Sequence, residues 1–239
     1  MTSPLGGPGT LFWLWLTALF GMGTKFAEVT LAVRFRERGE DGQWLGGPMY
    51  TIKNGLGARF MPLARAFALF GTLAAFGMGS AVQGAEISGA ARTLAMELLP
   101  GLPAERRIFA VAAGALVALF ALYVLSGGMS RLGRVCEALV PLMGLIYILA
   151  CLAVIAANAG RLPGVLRDIL VSAFRPEAVC GGIGLRACIG WGVRRGVFSN
   201  EAGLGSAPIA HASSSETDPV RQGFFGIFEV FADTIIVCT

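Results

Sequence analysis

Between residues 190 and 206 the chain gathers Gly190, Gly192, Gly196, Gly203 and Gly205 with Arg194, Arg195 and Glu201, all between apolar runs. Such a stretch is not an ordinary lipid-facing helix. A backbone group without a partner costs on the order of several kcal/mol in hydrocarbon, so a helix break survives there only under cover of protein or a watery cavity. An unwound helix exposes amide N–H groups on one half and carbonyls on the other. The first attract a carboxylate and the second a cation. Ser199 and Asn200 add neutral donors and acceptors suited to a zwitterion or Na⁺. Phe198 is placed to close over a small side chain. The same residues also fit a plainer reading, a glycine-rich loop between two helices with Ser199 and Asn200 as a helix cap.

Other polar residues stand inside apolar runs. Gln83 lies in a run rich in glycine and alanine, where a buried amide must find partners, either a ligand or a neighbouring helix. Asp233 and Thr234 lie in the middle of the last run, and an ionisable residue in a span is a site candidate. The alternative for Asp233 is an ion pair with Arg194 or Lys25. Lys25 and Glu28 are three apart, share a helix face and could pair, which reads mainly as a structural contact. His211 is the single histidine, so it builds no metal site alone; it reads as a helix-end or loop residue. No Ser-His-Asp or Cys-His set can be drawn, and the glycines around Gly77 lack the strand and spacing of a nucleotide loop. Enzyme chemistry is therefore not expected. Cys136, Cys151, Cys180, Cys188 and Cys238 form no C-x-x-C pair and mostly sit in apolar runs, as small hydrophobes do.

The elements that must position these residues are membrane-type helices. The 239 residues are 55% hydrophobic and 14% charged, against about 25% charge in a typical soluble domain. A spanning helix needs roughly 20 apolar residues, so about six fit with their loops. The runs cover about residues 10–33, 61–99, 108–125, 134–157, 179–206 and 223–239. The second is too long for one straight span, and Pro141 marks a kink in the fourth. Residues 160–178 read as a loop with a short amphipathic piece. The loop from Arg34 to Arg59 carries Arg34, Arg36, Arg38, Lys53 and Arg59, which places it on the cytoplasmic side. The formal net charge of +4 sits mainly between the runs, and no basic-aromatic patch points to nucleic acid. Residues 1–8 lack the basic region and cleavage pattern of a signal peptide.

The motifs as a set resemble the alanine or glycine:cation symporter family, also called sodium:alanine symporters. The resemblance rests on residues 21–33, on Gly46, Gly47, Pro48, Met49 and Tyr50, on residues 198–211 and on residues 218–234, and it runs over nearly the whole chain. It implies an all-α, polytopic bundle with part of a LeuT-type inverted-repeat fold, this chain matching family helices two to seven. It also implies symport of a small neutral amino acid, alanine or glycine, with Na⁺ or H⁺, in a multi-pass plasma-membrane protein of the bacterial inner-membrane kind. No cofactor beyond the coupling ion is implied. By the same resemblance Gln83, Phe198, Ser199 and Asn200 fall at substrate positions, and Asp233 and Thr234 at an ion contact. The family's first helix and its helices from the eighth onward have no counterpart here. The expectation is thus a single transmembrane fragment, with a truncated, non-transporting product as the alternative.

Overall fold

The computed structural model of the chain describes residues 7–75, 77, 81–98, 106–174 and 185–239. Cys180, Gly79 and Ser80 lie outside them, as do Gly181, Gly182 and Gly184. The chain divides into two compact units, Met1–Phe67 with Ile146–Thr239, and Ala68–Leu145.

In the first unit, helix α1 (Thr10–Arg34) is the hub. Its buried residues are Thr10, Leu14, Ala18, Gly21, Lys25, Val29, Ala32 and Val33. They recur every three or four positions, so they form one face of a 3.6-residue helix. Helices α7 (Leu162–Phe174), α8 (Leu185–Asn200), α9 (Ser206–Ala212) and α10 (Pro219–Val230) pack on α1. Helix α8 buries Cys188, Gly192, Gly196 and Asn200, one residue per turn and mostly small. A Cβ on Gly192 would stand 2.5 Å from Trp13 Cβ and 2.8 Å from the Thr10 carbonyl, and one on Gly196 would stand 2.9 Å from Thr17. These glycines lie within an unbroken helix and let two backbones approach, as small residues do between membrane helices. They are not where the chain unwinds.

The N-terminal end of α1 is tied to α7. Trp13 Nε1 donates to the Ala173 carbonyl at 3.1 Å, and the Phe12 and Phe174 rings meet edge to face at 5.0 Å. The short amphipathic piece expected within 160–178 is thus a helix of 13 residues, with Ile169 and Ala173 buried.

The basic loop after α1 is also built. Strands β1 (Glu37–Arg38) and β2 (Trp44–Leu45) pair antiparallel, and a short helix α2 (Pro48–Thr51) follows, with Pro at its first position. Lys53 Nζ donates to both Glu37 carboxylate oxygens at 2.8 and 2.9 Å. The Arg36 guanidinium lies 4.1 Å from the centre of the Trp44 ring.

Helix α3 (Met61–Ala74) and helix α6 (Gly128–Ala157) run from one unit into the other, and α6 stays helical through Pro141. In the second unit α4 (Val82–Leu98) packs on α5 (Arg106–Leu125). A Cβ on Gly77 or Gly84 would meet nothing within 4 Å among the described residues. Among the described residues, Thr10–Arg34 and Arg131–Ala157 are long and apolar enough to cross a membrane, and Val111–Leu125 is a shorter apolar helix.

Candidate functional site

Helix α8 ends at Asn200 and α9 begins at Ser206. Between them the backbone turns sharply. Glu201 sits at φ 53°, a left-handed conformation rare for a side chain other than glycine, and Gly203 and Gly205 follow at φ 86° and 80°. The break expected across residues 190–206 is therefore confined to 201–205. Phe198, Ser199 and Asn200 are the last turn of a helix, not part of the unwound segment.

Helix α1 supplies a charge to each side of that break. Lys25 is fully buried, and its Nζ donates to the Asn200 carbonyl at 2.8 Å. One turn later on the same face, Glu28 Oε2 accepts from the Gly203 amide at 3.1 Å. A cation thus meets the carbonyl end of one half-helix, and an anion meets an amide of the turn leading into the next. Both signs agree with the helix dipoles. Lys25 and Glu28 form no direct ion pair of the kind their spacing suggested; each bonds to the broken helix instead. Further along, Arg36 donates to the carbonyls of Ala212, Ser214 and Glu216 at 3.0, 2.7 and 2.8 Å. It closes the C-terminal end of α9.

Lys25 also faces Glu229 of α10, Nζ to Oε1 at 3.3 Å. Glu229 Oε2 is in turn 2.8 Å from His211 Nε2. Gln222 Nε2 approaches His211 Nδ1 at 2.7 Å, and Ser214 Oγ donates to Gln222 Oε1 at 3.2 Å. The Gln222 amide therefore donates to Nδ1, which leaves the ring proton on Nε2 to donate to Glu229. His211 is in the last turn of α9, the helix-end position expected of it. Its hydrogen bonds join α9 to α10.

Asn200 is 3% exposed. Its Oδ1 accepts from the Ala202 amide at 3.0 Å, while its Nδ2 is buried without a hydrogen-bond partner. A Cβ on Gly21 would stand 3.1 Å from that nitrogen. Buried donors are nearly always satisfied, and this nitrogen is, with Thr30 Oγ1 and Arg92 Nε, an exception among the described residues. An amide donor suits a carboxylate or carbonyl oxygen and repels a cation.

On α8 one residue earlier, Ser199 Oγ donates to Asp233 Oδ2 at 2.5 Å. Thr234 Oγ1, fully buried, donates to the same oxygen at 3.1 Å. Asp233 lies in a π-helical stretch, Phe231–Val237, which continues α10. Such stretches shift the register of the backbone and recur at functional sites. Carboxylate and hydroxyl oxygens at one point are the hard ligands a small cation takes. Asp233 thus finds hydroxyls rather than Arg194 or Lys25.

Three of the sequence-derived residues, Ser199, Asp233 and Thr234, meet directly, and Asn200 adjoins them on α8. Phe198 is exposed on the same helix. Gln83 is exposed near the start of α4, in the other unit. Lys25, Glu28, Glu229 and Gly21 complete the surroundings of the break. The depth of Lys25 in an apolar run was the signal available for the first of these.

The description of the sodium:alanine symporter family matches residues 3–239. An uncharacterized transporter of Haemophilus influenzae is 43% identical over 238 residues, which are 98% of this chain and 49% of that protein. The sodium/alanine symporter AgcS of Methanococcus maripaludis is 41% identical over 237 residues, 98% of this chain and 50% of AgcS. The amino-acid carrier protein AlsT of Bacillus subtilis is 39% identical over 235 residues, 98% of this chain and 47% of AlsT. The chain spans about half the length of the curated relatives it matches.

Proposed function

The chain belongs to the sodium:alanine symporter family, and we propose that it forms the part of a secondary symporter that binds a small neutral amino acid, alanine or glycine, together with Na⁺. The observation that carries this is the break at 201–205, with a buried, unsatisfied Asn200 amide on one helix turn and Asp233 with two hydroxyls beside it. The amide meets the substrate carboxylate or carbonyl. Asp233, Ser199 and Thr234 hold the ion. A neutral zwitterion and one cation then lie next to each other, and each raises the affinity for the other by the same factor. Phe198, exposed on the same helix, adds an aromatic face to the substrate side on this reading.

The same reading puts the helices across the plasma membrane in a LeuT-type arrangement of about six spans, with two bundles rocking around a mid-membrane site. Its support is the broken α8–α9 helix and the family membership. The apolar faces of α5 and α6, which expose Leu116, Leu119, Phe120, Leu145 and Ile146, suit lipid.

The test is uptake of labelled alanine into proteoliposomes, with and without an inward Na⁺ gradient. The protein is a chimera in which residues 3–239 replace the matching half of AgcS. Uptake should require the gradient, and Asn200→Ala should lower it at least tenfold. Unchanged uptake by that variant removes Asn200 from the site.

A further inference from the structure

We propose that Lys25 is a built-in cation: its ammonium permanently occupies the carbonyl end of α8 at the helix break, the place where a broken helix otherwise recruits a free ion. The last carbonyls of any helix lack intrahelical partners and carry its negative end. At this break the Asn200 carbonyl has its partner from the protein itself, Lys25 Nζ at 2.8 Å.

Three features make the ammonium a fixture. The side chain is fully buried, so it does not exchange its contact for water. Its stem lies against α10 at Gly226, where a Cβ would stand 3.2 Å from Lys25 Cγ and 3.4 Å from the Lys25 carbonyl. That glycine leaves room for the lysine stem and little more. Its charge is balanced by Glu229 Oε1 at 3.3 Å, and Glu229 is held from its other oxygen by His211. A buried cation needs this compensation, since an unpaired one is strongly unfavourable.

The consequence concerns where a transported ion can sit, and this clause rests on the function proposed above. With the α8 carbonyl end taken by Lys25, a mobile cation is left to the Asp233, Ser199 and Thr234 oxygens. The statement about Lys25 itself needs no transport and is tested without it.

The experiment uses the 239-residue chain purified in detergent, with thermal unfolding read in sodium, potassium, choline and n-propylammonium chlorides at equal ionic strength. Lys25→Ala removes what n-propylammonium would replace. Its midpoint should fall by roughly 10 °C and should recover by at least half in n-propylammonium but not in choline. Lys25→Met/Glu229→Gln restores neutrality and leaves the Asn200 carbonyl without its cation, so its midpoint should stay below that of the parent. Parent-like stability of Lys25→Ala, equal recovery in choline, or full recovery in the double variant overturns the proposal. An independent measurement needs no variant. Lys25 and Lys53 are the chain's lysines, so ¹⁵N-lysine labelling should give one slowly exchanging ammonium signal, unchanged as Na⁺ replaces choline. A fast-exchanging Lys25 ammonium, or one that Na⁺ displaces, also overturns it.

Discussion

The Lys25 ammonium and the Asn200 carbonyl lie 2.8 Å apart in space and 175 residues apart in sequence. With Glu28 on the Gly203 amide and Arg36, two residues past α1, on the Ala212 carbonyl that ends α9 and the Ser214 carbonyl after it, this segment closes three exposed polar points around the broken helix. The break is therefore held in shape by one neighbour, and the predictions below probe that arrangement and the residues next to it.

Glu28→Ala should loosen the turn at 201–205 without unfolding the bundle. The lost bond is charge-assisted and worth about 1.5–3 kcal/mol. Hydrogen exchange followed by mass spectrometry should rise at least tenfold in peptides covering Gly203 and stay unchanged in α7. Equal exchange in both proteins would mean that Glu28 does not hold the turn.

Asp233→Asn should weaken Na⁺ activation of alanine uptake in the AgcS chimera. The carboxylate gives up its charge while keeping its shape, a loss of about 1.5–3 kcal/mol, or tenfold to hundredfold in the Na⁺ concentration for half-maximal uptake. Ser199→Ala should shift the same quantity by less. An unaltered Na⁺ dependence in Asp233→Asn would place the ion elsewhere.

Gly192→Ala should lower stability although alanine is the better helix former. Its methyl meets Trp13 Cβ at 2.5 Å and the Thr10 carbonyl at 2.8 Å, so α1 and α8 must separate. Overpacking of this kind costs about 1–3 kcal/mol. Gly190→Ala is the control, because its Cβ meets nothing within 4 Å. Thermal unfolding of the two variants side by side decides the point.

The loop hairpin should depend on pH. Hydrogen bonds from Lys53 and Asn54 hold the Glu37 carboxyl below its ordinary value. Its contribution is fully present above the unfolded value, near 4.3, and is lost as pH falls through the lower folded value. Glu37 and Lys53 are both more than a third exposed, so the effect is small and local. Exchange protection of residues 37–45, relative to Lys53→Met at the same pH, should vanish on acidification. A difference that persists below pH 2 would show another cause.

The broken helix was legible in the sequence because its chemistry is local. Glu201, Gly203 and Gly205 mark it within a few residues, and the glycine φ angles explain why those types stand there. Gly192 and Gly196 misled because glycine serves both as a breaker and as a packing surface. Their four-residue spacing with Cys188 and Asn200 was the cue for the second role. Lys25 and Glu28 were read as a pair because spacing along one helix is all a sequence shows. Their partners come from α8, α10 and the turn, and only folding brings those near. Ser199 and Asp233 were each found from residue type, while their 2.5 Å contact belongs to the packing of α8 on the end of α10. His211 showed its helix end, and its partners Glu229 and Gln222 stayed hidden for the same reason.

The long separation of Lys25 from its partners also sets an order of events during synthesis. At about 5–20 residues per second, Asn200 follows Lys25 by roughly 9–35 seconds, and Glu229 arrives later still. During that interval Lys25 lacks both the Asn200 carbonyl and Glu229, and a cation destined for burial is strongly unfavourable without its partners. Helix α1 is therefore seated only once α8 and α10, made long after it, have reached its buried face.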